Sequence, residues 1–275
     1  MNNILRLMCV FAHPDDESMG TGSTLAKYAQ EGIETYLVTA TRGEKGWSGK
    51  PEDYPGSLAL ARQRQAELIS AAQVLGLRQV YFLDYIDGEL SQVDSQEAIQ
   101  KIARYLRLIR PQVVITFGPD GSYGHPDHIA ISQLTSAAII AAADCDFIDT
   151  DHLPSHRTSK LYYMMDTREL WETVEALVGE LSMQVNGTLR KPVMWEDWAV
   201  TTRISSGEHW RTALKAVLCH QSQLASLGDI HSLTDEQNYR LWGDRTYYRV
   251  FSLVNGHHPN GSYHREEDLF SGLRG

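Results

Sequence analysis

Four short apolar runs, separated by segments of helical pattern, constrain this chain more than any other feature. Leu5–Ala12, Ile33–Thr41, Val80-Tyr81-Phe82-Leu83 and Val113-Val114-Ile115-Thr116-Phe117 read as buried strands. Between them, Thr24–Glu31 reads as a helix stopped by Gly32. A second helix begins at Ser57, carries Leu60, Ala61, Leu68, Ala71, Ala72 and Leu75 on one face, and ends at Gly76. Ser95–Ile109 has helical spacing that Pro111 prevents from continuing. An alanine- and isoleucine-rich helix follows the fourth run, to about Ala143. This alternation predicts an α/β fold: a parallel sheet with helices on both faces, joined by right-handed crossovers.

Beyond residue 145 the pattern is less regular. Leu161–Met165, Ala199–Ile204 and Tyr247–Val254 read as strands, Glu169–Met183 and Glu208–Leu227 as helices, and Asp144–Thr158 as a linker. The expected organisation is a core over 1–145 and a C-terminal portion, 146–275, that packs on it and shapes a cleft without being an independent domain. The polar tail beyond Gly256 is expected to be held only by contacts.

With 275 residues the chain can bury a large core without staples. A net charge of −10 argues against a general nucleic-acid binder. No stretch is long and apolar enough to be a transmembrane segment, and the N-terminus lacks a secretory pattern, so a cytoplasmic location is expected. Three distant cysteines, Cys9, Cys145 and Cys219, offer no CxxC pair and no disulfide framework.

The first and fourth strand runs both end in acidic, histidine-bearing clusters: His13-Pro14-Asp15-Asp16-Glu17 and His125-Pro126-Asp127-His128. Such pairs serve as turn residues and helix caps elsewhere. Here both follow strands of one inferred sheet, and parallel strands deliver their C-terminal ends to one edge, where α/β ligand sites form. Two histidines and a carboxylate with an open position make a catalytic zinc set, with iron(II), manganese and cobalt as further candidates. Spacing alone does not choose between His125 and His128. The first strand is followed by HPDDES and not by G-x-G-x-x-G, which disfavours a dinucleotide-binding module.

The stretches Ala12–Glu17 and Gly124–His128 resemble the LmbE-like (PIG-L) family of metal-dependent N-acetylglucosaminyl de-N-acetylases. Thr41-Arg42-Gly43-Glu44-x-Gly46 resembles the family's TxGExG segment, and Arg64-x-x-Glu67 with Leu75-Gly76 its RxxE…LG helix. The segment from Lys215 through His220 to Gln223 resembles its KxxAxxxHxSQ helix in Ala216-x-x-x-His220-x-Ser222-Gln223, with Lys215 five residues before His220 where the pattern has seven. The resemblance implies a Rossmann-like sheet sandwich and one zinc (Zn2+, with Fe2+ as an alternative) held by His13, Asp16 and His128. It implies removal of an acetyl group from a small N-acetylglucosamine-type substrate, by attack of zinc-bound water with Asp15 as general base. His125, protonated and held by Asp127, would stabilise the oxyanion together with Tyr123, while Glu44 and Arg64 would lie near the sugar; Asp87, which follows a strand, is a further candidate for binding a sugar hydroxyl. Glu17 reads as a helix N-terminal charge and His220 as a supporting histidine. The remaining histidines, from His152 to His264, read as surface or loop residues, and Trp195 and Trp198 as packing residues. An amidase of a glucosamine-linked thiol conjugate and a non-catalytic ligand-binding module are the alternatives, and a homo-oligomer is compatible with the composition.

Overall fold

The computed structural model describes residues 4–147, 151–179, 182–185, 187–255 and 265–274. In chain order the main elements are β1 (Arg6–Phe11), α1 (Asp16–Gln30), β2 (Glu34–Thr41), α2 (Ser57–Leu75), β3 (Gln79–Tyr85), α3 (Ser95–Ile109) and β4 (Val113–Phe117). A kinked four-residue turn, α4 (Gly121–Gly124), leads into α5 (Pro126–Ala143), β5 (Lys160–Met165) and α6 (Arg168–Val178). Then come a small hairpin of β6 (Met183–Val185) and β7 (Thr188–Arg190), β8 (Thr202–Ile204), α7 (Trp210–Val217), α8 (Asp235–Trp242) and β9 (Arg245–Ser252).

Seven strands form one sheet in the order β3-β2-β1-β4-β5-β9-β8, parallel from β3 to β5 and antiparallel at β9 and β8. It is an α/β sheet, as the alternation predicts, and it runs through residue 145 without a break. The strand order reverses between β1 and β4, which pair directly through Leu7↔Val113, Met8↔Val114 and Cys9↔Ile115. Such a switch point opens a crevice outside the strands' carboxyl ends. Both strands are largely apolar and sealed, Leu7–Ala12 and Val113–Ile115 having no exposed surface. The apolar runs therefore hold the centre of the sheet, and the polar clusters that follow them emerge side by side.

Several elements depart from the sequence reading. Helix α1 starts at Asp16, eight residues before Thr24, and takes Gly20 and Gly22 into its body. These glycines mark close approach: a Cβ on Gly20 would lie 2.1 Å from Met164 Sδ, and one on Gly22 would lie 3.2 Å from Ala213 Cβ. The helix expected over Glu208–Leu227 breaks, with α7 ending at Val217 and a 3-10 segment resuming at Gln221. His156 is 8% exposed and its Nε2 bonds Pro111 O at 2.8 Å, so it is a buried linker anchor, not a surface residue. Trp198 is 81% exposed, contrary to a packing role. His257, His258, His264 and the start of the tail lie outside the described residues.

The C-terminal strands are tied into the core by buried polar contacts. Lys160 Nζ and Tyr162 Oη both donate to Glu266 at 2.5 Å, and Tyr247 Oη donates to Thr24 Oγ1 at 2.7 Å.

Candidate metal centre and its surroundings

The loop after β1 is shaped by its own side chains. The Asp16 carboxylate folds back so that Oδ2 accepts the Ala12 and His13 N–H groups at 3.1 and 2.8 Å. Asp15, between them, has φ 115° and ψ −28°, a left-handed conformation that costs a non-glycine residue strain. Three contacts hold it there. Its N–H donates to Glu17 Oε2 at 3.0 Å, and Arg64 Nη2 donates to Pro14 O at 2.6 Å and to Asp15 Oδ2 at 3.0 Å.

The second cluster arrives from β4. Pro126 occupies the first turn of α5, and His125 caps that helix, its Nδ1 accepting the Asp127 N–H at 3.1 Å. One turn in, His128 is 3% exposed and stacks on Phe117, with its Nδ1 3.2 Å from Gly121 O.

Three ligand-type groups then converge. His13 Nδ1 lies 3.1 Å from His128 Nε2, Asp16 Oδ2 lies 3.8 Å from His13 Nδ1, and Asp16 Oδ1 lies 3.5 Å from His128 Nε2. The far side of each ring is taken. His13 Nε2 faces Asp87 Oδ1 at 3.1 Å and Asp127 Oδ2 at 3.3 Å, so it carries the proton, and His128 Nδ1 donates to Gly121 O. The inner nitrogens are left presenting lone pairs to each other and to a carboxylate. Lone pairs repel at that range unless a proton or a metal ion lies between them, and in the metal-free chain a proton on His13 Nδ1 fills that place. Donors about 2.0–2.1 Å from a tetrahedral zinc stand about 3.4 Å apart, so this triangle fits a divalent transition metal. His13 and His128 also group with His125, and His13 with Asp87 and Asp127, as sets whose donor atoms lie within 4.8 Å.

The electrostatics follow from burial. Burial, with the nearby Asp15 charge, pushes Asp16 up to about 7 against the pull of His13. Burial likewise raises Asp15, opposed by Arg64, His220 and His13. Burial disfavours the His13 cation, but the Asp127 and Asp87 carboxylates on Nε2 outweigh it and lift His13 well above 6.5. Burial and the His13 charge bring His125 down to about 4.

Two sequence expectations, on Asp127 and on His125, are corrected here. Asp127 does not hold His125: its carboxylate, 0% exposed, is spent on His13 Nε2 and on the Gly88 and Leu90 N–H groups at 2.7 and 3.1 Å. His125 is accordingly not favoured as a cation, since its own neighbours are Asp127's backbone and the His13 ring. Asp87 is buried as a second carboxylate on His13 and accepts the Lys45 N–H at 3.0 Å. Arg64 is 3% exposed and its guanidinium is wrapped by Gly43 and Gly46 while binding Pro14 and Asp15, so it positions the loop rather than meeting solvent. Glu44 stays half-buried, and its Oε2 is a buried atom with no hydrogen-bond partner among the described residues. Tyr123 sets its ring edge-on to His125 and His128, with centroids 5.8 and 5.2 Å away.

Among known proteins, residues 8–139 match the family described as PIG-L: GlcNAc-PI de-N-acetylase. Across 98% of its length the chain is 33% identical to the whole of a Thermobifida fusca protein named 1D-myo-inositol 2-acetamido-2-deoxy-alpha-D-glucopyranoside deacetylase. The chain belongs to the PIG-L family. A Streptomyces coelicolor protein named mycothiol S-conjugate amidase is 29% identical over 100% of this chain and 99% of its own. The crystallised N,N'-diacetylchitobiose deacetylase of Pyrococcus horikoshii shares the fold, with a TM-score of 0.65 and 19% identity over 89% of this chain and 83% of that one.

In this PIG-L chain a further set of residues underlies the centre. Glu17 is not a solvent-facing helix charge. It is 0% exposed and accepts from His220 Nε2 at 2.8 Å and Ser18 Oγ at 2.5 Å, besides Asp15 N–H. Two residues on, Ser222 donates from N and Oγ to Glu67 at 2.9 and 2.7 Å, and Gln223 Nε2 donates to Gly46 O at 2.7 Å. The segment 220–223 thus clips together α1, α2 and the loop around Arg64. Its His-x-Ser-Gln pattern was the only sequence sign of it.

Proposed function

We propose that this protein is a metal-dependent hydrolase that removes the N-acetyl group of an N-acetylglucosamine-type substrate. The carrying observation is the triangle of His13 Nδ1, His128 Nε2 and Asp16, with the strained Asp15 carboxylate beside it. Its relatives' names as deacetylase and amidase share one reaction class, hydrolysis of an amide.

In this reading His13, Asp16 and His128 hold one zinc, with iron(II) as the alternative. The bound ion supplies Lewis-acid polarisation of the amide carbonyl and lowers the pKa of water towards neutrality. Asp15 takes the proton of the attacking water, and Arg64 keeps that carboxylate in place through its 3.0 Å bond. Asp87 and Asp127 orient His13 and raise its basicity, as carboxylates behind a ligating histidine do. His125 acts as a neutral imidazole: Nδ1 is an acceptor for the Asp127 N–H, which leaves the proton on Nε2 to donate to the developing oxyanion. Tyr123, edge-on to His125 and His128, offers a second donor.

The test pairs metal analysis with a release assay on protein purified without a histidine tag. Bound metal per chain is measured, and acetate release from the inositol-linked N-acetylglucosaminide and from N-acetylglucosamine is followed with and without chelator. Chelator-sensitive acetate release supports the proposal. Failure to bind metal on reconstitution, or acetate release indifferent to chelator, overturns it.

A further inference from the structure

Tyr123 stands on an uncommon piece of backbone. In Gly121-Ser122-Tyr123-Gly124 the serine has φ 65° and ψ −65°, the dihedrals of the rare, strained γ-turn, between two glycines that are themselves at positive φ. A side chain stays in such a conformation only where its surroundings over-determine it. One support is local: Ser122 N–H donates to Asp120 Oδ2 at 3.0 Å. The others come from far along the chain. Ser122 Oγ donates to Asp166 Oδ2 at 2.5 Å, just past the end of β5, and Val193 N–H donates to Ser122 O at 2.7 Å. Trp195 joins the two acids, its Nε1 donating to Asp120 Oδ1 at 3.1 Å and its backbone N–H to Asp166 O at 3.0 Å. Asp166, Val193 and Trp195 all lie beyond residues 8–139, the stretch that matches the family.

The start of the turn is fixed separately, since Gly121 N–H donates to Gly118 O and Gly121 O accepts from His128 Nδ1. Any freedom therefore lies between Ser122 and Gly124, where Tyr123 sits. The phenol has little of its own to hold it. Its ring meets His125 and His128 edge-on, and its hydroxyl makes no hydrogen bond among the described residues. Burial raises the phenol above its usual range, and the Asp16, Asp15 and Asp87 charges add to that, as expected of a side chain lying over the metal crevice. The direction of the hydroxyl is thus set by the backbone under it.

We propose that Asp166 is a positioning residue for the hydrolysis proposed above: through Ser122 Oγ it holds the strained turn that presents the Tyr123 hydroxyl to the developing oxyanion. The inference rests on that reading of the site. Asp166→Ala and Ser122→Ala remove the same bond from opposite ends, so a folding defect in one does not decide the matter. Each should lower kcat by about 10- to 100-fold, with KM and bound metal near the wild-type values. Asp166→Asn, which keeps an acceptor for Ser122 Oγ, should restore most of that rate.

The deciding comparison is made in a Tyr123→Phe background, which lacks the donor and itself loses about 10²-fold. There Asp166→Ala should cost nothing further, whereas a general loosening of the fold would lower the rate in both backgrounds. Equal losses in the two backgrounds, or a wild-type kcat in Asp166→Ala, overturn the proposal. A second readout needs no turnover. In protein labelled with fluorotyrosine, the fluorine resonance of Tyr123 is the one missing from Tyr123→Phe. It should shift or broaden in Asp166→Ala and Ser122→Ala and stay in place in Asp166→Asn; an unmoved resonance in both alanine variants also overturns the proposal. A wild-type protein that releases no acetate refutes the assigned reaction instead, and the resonance then decides by itself whether Asp166 governs Tyr123.

Discussion

Replacing His220 by alanine should show that the C-terminal portion holds the catalytic loop in shape. The His220–Glu17 pair spans 2.8 Å and both side chains have no exposed surface. Removing one partner of such a pair leaves an uncompensated buried charge, at a cost of about 3–5 kcal/mol. Glu17 would keep two donors, Asp15 N–H and Ser18 Oγ, which puts the expected loss near the low end, about 3 kcal/mol. For a chain of this size that is a fall in Tm of about 6–12 °C. Because Glu17 also holds the left-handed Asp15 backbone, kcat for acetate release should drop by about 10²-fold, more than KM rises, with bound metal retained. The decisive assay is a double-mutant cycle of His220→Ala and Glu17→Gln in urea denaturation. A neutral residue 17 has less to lose when His220 is gone, so the two changes should be non-additive by about 2 kcal/mol. Additivity within about 0.5 kcal/mol would refute the argument, since the pair would then contribute nothing as a pair.

Asp15→Asn should retain the metal and lose about 10²–10⁴-fold in turnover; metal analysis beside acetate release checks it, and a wild-type rate removes Asp15 as the base. Asp127→Asn, which disturbs the carboxylate behind His13, should weaken metal affinity about 10–100-fold, read by competition with a chelating dye, whereas an unchanged affinity would detach Asp127 from the centre. Arg274→Ala tests the contact near the C-terminus in which Arg274 Nε donates to Asp268 Oδ2 at 2.7 Å. Burial raises Asp268, but Arg274, with the Phe270 N–H, more than offsets it and holds the carboxyl below 3.8. A lowered carboxyl stabilises the fold above 3.8 and loses that contribution as pH falls through its folded value. The variant should therefore be less stable by up to about 1 kcal/mol at neutral pH, and the deficit should shrink in acid; a pH-independent deficit would contradict the pairing.

The centre of this fold was legible because its strands are buried on both faces and so read as unbroken apolar runs. The pairing of β1 with β4 placed two histidine clusters together, as parallel strands ending at one edge require. What escaped the sequence reading depends on neighbours from elsewhere in the chain. Gly20 and Gly22 look like a loop until Met164 and Ala213 arrive against them. Asp127 is two residues from His125, which suggested a pair, yet residues two apart at a helix start do not face each other. Its carboxylate turns instead to His13, a residue far away in sequence and adjacent in the sheet. The burial of Arg64 and Asp87 escaped it for a related reason. Motif position carries no information on burial, and both groups are consumed by the protein itself.

That consumption explains why so much of the chain is needed for so small a site. Asp15, Asp16, Asp87 and Asp127 crowd one crevice with Glu17 behind them, an arrangement that like-charge repulsion and desolvation both oppose. Arg64 from α2 offsets it at Asp15 and Pro14, His220 from beyond α7 at Glu17, and backbone N–H groups of Gly88 and Leu90 at Asp127. Each compensator comes from a different element, so the acidic cluster is stable only once the whole sheet and the C-terminal clip are assembled. A carboxylate held in place this way before substrate arrives is pre-organised: the reorganisation that water would demand during proton transfer has already been met by folding.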